Sequence, residues 1–254
     1  MSGPLKMENA SPEYGKVKLI EPTGRGYLYI AASIDPGQTP FILPSRKRSR
    51  LLARLKDLAQ RAEQLHDVVA ATVFRAIVTP PTARFSNYLK ARSGTLNIAD
   101  FDVIVLIEAR SPQAANDLKS DATVSAIISA MRGEAKTMCV IAAKNIKRIG
   151  DINRTRDGLF LFNHFAADEA RVMRELWDHL AQWYVVNTGL DNSIALAPLE
   201  GESSDYAIIN WARWDSPPLL HFANMLARPS FWSYVAHNLD VNHAASMPIY
   251  CRLA

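Results

Sequence analysis

Asp205-Tyr206-Ala207-Ile208-Ile209-Asn210-Trp211-Ala212-Arg213-Trp214-Asp215-Ser216-Pro217 holds the pattern from which the rest of the chain can be read. It is an apolar, β-favouring run that passes directly into Ser-Pro. A serine hydroxyl caps a helix and proline suits the first helical position, so the segment predicts a strand followed at once by a helix. Phe101–Ala109, followed by Arg110-Ser111-Pro112, does the same about a hundred residues earlier.

The flanks of the two segments repeat as well. Upstream of the first lie an apolar strand over 26–34 and a loop punctuated by Pro36, Gly37, Pro40 and Pro44. An amphipathic helix over roughly 46–66 follows, with Leu51, Leu55, Leu58, Ala62 and Leu65 on one face, then a strand over Ala71–Val78. Residues 81–100 lack a period and read as a long loop. Downstream, a helix should run from Ser111-Pro112 to about Arg132, where Gly133 ends it, before a strand over Met138–Ala143. The second half gives a strand over Leu159–Phe165 and a helix capped by Asp168 that stops at Thr188-Gly189. A short strand follows over Ser193–Ala197, then the Asp205–Trp214 strand, a helix over about 217–239 and a strand over Met247–Leu253. Leu118-Lys119-Ser120-Asp121 and Leu226-Ala227-Arg228-Pro229 fall at matching places, and Cys139 and Cys251 lie on equivalent fourth strands. The order is βαββαβ twice.

A βαββαβ unit folds as a ferredoxin-like sheet of four antiparallel strands with both helices on one face. Its other face is apolar and must be covered. The expectation is therefore an α+β fold, two tandem ferredoxin-like repeats closing one α+β barrel within the chain. The expected boundaries are a mobile leader over 1–20, an N-terminal structural repeat over 21–150 and a C-terminal repeat over 151–254 that carries any site.

Composition agrees with a globular chain. With 254 residues, 48% hydrophobic and 21% charged, it is neither collagenous, disordered nor membrane-spanning. No signal peptide precedes the first strand and two cysteines cannot form a disulfide framework, so a cytoplasmic location and no membrane partner are expected. Residues 1–150 hold 22 Lys+Arg against 13 Asp+Glu, net +9, whereas 151–254 are net −5. Opposite signs favour docking of the halves, or a homo-oligomer. The Arg46-Lys47-Arg48-Ser49-Arg50 cluster reads as a solvated helix start. Nucleic acid is the less favoured partner, because no aromatic residues interleave the cluster.

Leu161-Phe162-Asn163-His164-Phe165, Thr188-Gly189-Leu190, Trp211-Ala212-Arg213-Trp214-Asp215-Ser216 and Pro229-Ser230-Phe231 carry a resemblance. Residues 158–254 resemble the antibiotic biosynthesis monooxygenase domain of the dimeric α+β barrel superfamily. The resemblance implies the ferredoxin-like fold and, more loosely, a reaction, since the superfamily mixes cofactor-free oxygenases, heme enzymes and proteins without known chemistry. Its quinone-forming monooxygenases carry an Asn-x-x-x-Trp pair on the third strand, to which Asn210 and Trp214 are similar. That likeness implies that Asn210 holds a phenolate oxygen and Trp214 stacks on the ring, with no cofactor. Heme-degrading members use an Asn on the first strand with a Trp and an axial His on the last helix, to which Asn163, Trp232 and His237 are similar. Heme is therefore the alternative cofactor.

All five tryptophans and five of the six histidines lie beyond residue 150, which places the candidate pocket in the second half. Period-two alternation puts Asn210 and Trp214 on one face of their strand. Asn163 and His164, being adjacent, point to opposite faces, so one of them enters the barrel. His221, Trp232 and His237 complete the candidate set for a small apolar or aromatic ligand. No phosphate-binding loop, zinc motif or nucleophile elbow occurs, and Cys139 and Cys251 read as buried structural thiols. A barrel that binds or assembles without reacting is the remaining alternative.

Overall fold

Each half of the chain folds as a four-stranded antiparallel sheet backed by helices, and the two sheets join edge to edge into a closed barrel of eight strands. The computed structural model describes residues 3–37 and 40–254, apart from the side chain of Leu219. The first half comprises β1 (Gly26–Ser33), α1 (Arg46–Ala62), β2 (Val68–Val78), α2 (Asn87–Ala91), β3 (Val103–Ala109), α3 (Pro112–Asp117), α4 (Ala122–Arg132) and β4 (Thr137–Gly150). The second comprises β5 (Leu159–Ala167), α5 (Ala170–Thr188), β6 (Ser193–Pro198), β7 (Ile208–Trp214), α6 (Pro218–Leu226), a π-helical turn (Phe231–Ala236), α7 (His237–Val241) and β8 (Ala244–Leu253).

Around the barrel the strands run β1-β3-β2-β8-β5-β7-β6-β4 and back to β1. Each half thus keeps the ferredoxin-like order, fourth strand beside first, first beside third, third beside second. The closing seams are β2–β8, with Ala76 opposite Cys251, and β4–β6, with Arg148 opposite Ile194. Closure leaves no free sheet edge.

Alternation along the strands separates an interior from an outer face. The interior is aromatic: Phe74 meets Phe160 and Phe162 edge-on at 5.0 Å, and Phe162 stacks on Trp211 at 6.3 Å. On the outer face Leu28, Val105 and Ile107 pack under Leu55, Ile127 and Met131 of α1 and α4. In the second half Ile208 packs with Met173, Leu176 and Trp177 of α5.

Several boundaries differ from the sequence reading. The expected loop 81–100 contains α2, capped by Ser86. The helix expected to run from 111 to 132 is broken, because Asp121 turns extended and its carboxylate accepts from Thr123 N and Val124 N to start α4 afresh. The helix expected over 217–239 breaks in the same region. Pro229 lacks the N–H to continue α6, and the chain resumes in the π-helical turn. Asp168 does not cap α5; Glu169 holds that position, and Asp168 pairs with Arg92. β4 runs past Ala143 to Gly150, the extra length being what pairs with β6.

The leader is expected to be mobile; its described residues from Lys6 to Val17 lie along the second half. Asn238 accepts from Glu8 N at 2.8 Å and donates to Glu8 O at 2.9 Å. Asn242 does the same for Lys6 at 2.9 and 2.7 Å. Tyr14 packs on Tyr234 at 4.9 Å, and Val17 N donates to Asp178 O. In the basic cluster Arg48 is buried and pairs with Asp102 at 3.0 Å, so it braces the fold instead of facing solvent. Among the described residues no helix is long and apolar enough to cross a membrane.

Candidate functional site

The β5–β7 register sets Asn163 directly opposite Asn210 and Leu161 opposite Ala212. Both asparagines point to the helix-covered face, together with Leu161, Phe165 and Trp214. Helix α5 roofs them with Trp177, Leu180, Ala181 and Tyr184, one face of a 3.6-residue period. Gly189, at φ +68°, ends α5 in the left-handed conformation and turns Leu190 into the same space. Between sheet and helix lies a cavity of about 20 Å³, room for about one water molecule.

Polar groups in this apolar setting are placed individually. Ser193 Oγ donates to Asn210 Oδ1 at 2.7 Å. Asn163 Oδ1 is buried with no hydrogen-bond partner among the described residues. Such an orphan acceptor costs about 1–3 kcal/mol. Trp214 is fixed edge and face: its Nε1–H donates to Thr188 Oγ1 at 3.2 Å, and Thr188 donates on to Tyr184 O at 2.7 Å.

His221 packs against the Trp214 ring at 4.6 Å, behind the cavity wall. Burial lowers its pKa from 6.5 to about 4, so its imidazole is neutral at pH 7. Its Nε2 is a second buried atom without a partner among the described residues, and Ser216 Oγ lies 3.4 Å from Nδ1. Tyr250 faces the same side from β8, with burial holding its phenol well above the ordinary range.

Asn163, Asn210, Trp214 and His221 are therefore gathered in one neighbourhood, and three of the expected residues are not. His164 is the residue that enters the barrel. Met247 O lies 3.1 Å from Nδ1, which must donate to it, and Nε2 accepts from Tyr29 O–H at 2.8 Å. Burial lowers its pKa to about 4. Trp232 is half-exposed, donates to Leu226 O and meets Phe85 edge-on. His237 bonds Glu8 Oε2 at 2.7 Å on the outer surface. Their expected side rested on one continuous helix, which the break at Pro229 interrupts. Tyr184, Trp177 and Ser193 were missed. The first two could have been found from the 177, 180, 181, 184 spacing on α5, whereas nothing in the sequence flags Ser193.

The heme-binding set implied by the resemblance is not assembled: His237 lies outside the cavity beside Trp214, bound to Glu8, and Trp232 is half-exposed against Phe85. Among the described residues no group of three His, Cys, Asp or Glu gathers to hold a metal. Cys139 is pushed up to about 12 by burial and Cys251 higher, so neither is a thiolate nucleophile at neutral pH.

No family model matches the chain, and no curated protein does. Solved structures do. An anthrone oxidase-like protein superposes with a TM-score of 0.57 at 11% identity, covering 89% of this chain and 90% of that one. A suspected monooxygenase from Fusobacterium nucleatum gives 0.55 at 6% identity, covering 92% and 94%. At such identities the likeness is one of fold, and it extends over nearly the whole length of both chains: the protein is an α+β barrel built like these structures.

Proposed function

We propose that the protein binds a small aromatic ligand between the second-half sheet and α5 and oxygenates it without a cofactor. The observation that carries this reading is the orphan acceptor Asn163 Oδ1, buried beside Asn210 and Trp214 in an otherwise apolar cavity. A phenolic O–H donated to Asn163 would satisfy it, the amide of Asn210 would hold the developing phenolate, and Trp214 would bound the ring. Both the anthrone oxidase-like neighbour and the sequence resemblance point to anthrones or hydroquinones as substrates. For an anthrone the balance needs no outside reductant. The ring CH₂ gives four electrons to dioxygen; one oxygen atom becomes the new carbonyl, and the other leaves as water with the two hydrogens.

At about 20 Å³ the cavity must widen to admit a ring. Helix α6 is the element suited to yield: it is nine residues long, has no side-chain cap, and holds His221 and Phe222 against Trp214 and Tyr250. Oxygen uptake with a panel of anthrones and hydroquinones tests the reading. Uptake should occur with wild type and fall at least tenfold in Asn210→Ala and Trp214→Phe; no uptake with any member would overturn it.

The small cavity favours a second reading, a barrel that binds or assembles without reacting. Saturable binding of an anthraquinone with no oxygen uptake from any anthrone would support that one. Because the barrel closes within one chain, a homo-oligomer would form through other surfaces.

A further inference from the structure

One mouth of the barrel, where β1 starts and β3 and β4 end, holds a separate cavity of about 310 Å³. It has no lining residue in common with the cavity under α5. Its wall is cationic. Arg25 Nη1 donates to Glu108 Oε2 at 3.0 Å, and Arg154 Nη1 lies 3.0 Å from Glu108 Oε1, an ion-pair contact not aligned as a hydrogen bond. Arg148 pairs with Asp151 at 2.5 Å and donates to Glu21 O at 2.9 Å. Glu108 is buried and braces two guanidinium groups at the rim. Three arginines against two carboxylates leave one positive charge unbalanced.

The floor is flat and apolar, made by Tyr27, Ile152, Ile194 and Trp211. Trp211 is 1% exposed, and its Nε1–H is buried without an acceptor among the described residues. An indole N–H can only donate, so this orphan calls for an acceptor. Guanidinium groups present planar forks that match a carboxylate. A surplus of donors, one net positive charge and an aromatic floor together select a monoanion with a flat body.

We propose that this mouth is a second ligand site, for a small aromatic monocarboxylate, with its carboxylate accepting from the arginines and from Trp211 Nε1–H and its ring against the apolar part of the wall. The site is independent of the oxygenation proposed for the α5 cavity. Trp211 faces into the barrel, whereas its strand neighbours Asn210 and Trp214 face the helix.

Benzoate titrated into the full-length ¹⁵N-labelled protein tests it through the five indole N–H signals. The signal missing from Trp211→Phe should shift saturably, and the one missing from Trp214→Phe should stay. Benzyl alcohol, with the same ring and no charge, should give no saturable shift. Calorimetry should show benzoate affinity at least tenfold weaker in Arg154→Gln. The absence of a saturable shift, equal affinity in Arg154→Gln, or equal binding of benzyl alcohol would each overturn the proposal. Inorganic phosphate binding as tightly as benzoate at the same signal would overturn the aromatic class. Should Trp211→Phe fail to fold, the comparison of wild type with Arg154→Gln carries the decision.

Discussion

Asn163 carries a buried acceptor that the proposed ligand would satisfy. Its unpaired Oδ1 costs about 1–3 kcal/mol, and an apolar isostere would remove that cost. Asn163→Leu is therefore expected to keep or raise thermal stability, by up to about 1 kcal/mol, while lowering oxygen uptake at least tenfold. A melt that drops by more than a few degrees would show the asparagine to be structural. His164 and His221 make a different point. Burial lowers each folded-state pKa to about 4, while the unfolded chain takes up the proton near 6.5. Their stabilising effect is complete above about pH 6.5 and is lost as pH falls toward 4, each contributing on the order of 3 kcal/mol. Urea midpoints at pH 7.5 and 4.5 check this: the acid loss should be smaller in His221→Phe than in wild type. An equal loss would contradict neutral burial of His221. Asn210 and Trp214 were legible because period-two alternation sets them on one face. Ser193 was not, since it comes from β6 and meets Asn210 only once the sheet is formed, whereas the α5 spacing that sets Tyr184 on the cavity face was there to be read.

At the scale of elements, the paired Ser-Pro carried the most information. Each marks the passage from third strand to helix, and Ser111 does cap α3, its Oγ accepting from Ala114 N. Ser216 does not repeat that role: Pro217 sits at the cap of α6, with no side-chain bond. The strand cores were legible from apolar runs, but the second part of β4 was not. Lys144, Lys147 and Arg148 break the apolar run, and the strand continues through them because β6 pairs along this stretch. The leader escaped for a similar reason, being held largely by backbone bonds to Asn238 and Asn242. Gly26 fixes the approach of β1 to α3. A Cβ there would meet Ser111 O at 2.2 Å and Pro112 Cα at 2.6 Å, both backbone. Gly26→Ala should cost about 1–3 kcal/mol. Gly189→Ala meets no atom and should cost only about 1 kcal/mol, from its positive φ. Chemical denaturation of the two variants compares them directly, and a reversed order would contradict the close contact.

For the whole molecule, the two seams make each half the cover of the other. Without β2 and β4, the fragment 151–254 exposes Phe160, Phe162 and Trp211, which line the closed interior. An apolar patch of that kind is rare on a soluble monomer. The fragment should aggregate or pair with itself, with a light-scattering mass that falls on dilution; a well-dispersed folded monomer would contradict the mutual cover. Closure also divides the tryptophans by face, Trp211 inward, and Trp177 and Trp214 at the cavity between sheet and α5. That division allows the location of an aromatic ligand to be read directly. In a titration of the ¹⁵N-labelled full-length protein with 1,8-dihydroxyanthraquinone, the indole signals of Trp214 and Trp177 should shift saturably while that of Trp211 stays. Saturable shifts confined to Trp211, or none at any tryptophan, would contradict a ligand site between the second-half sheet and α5.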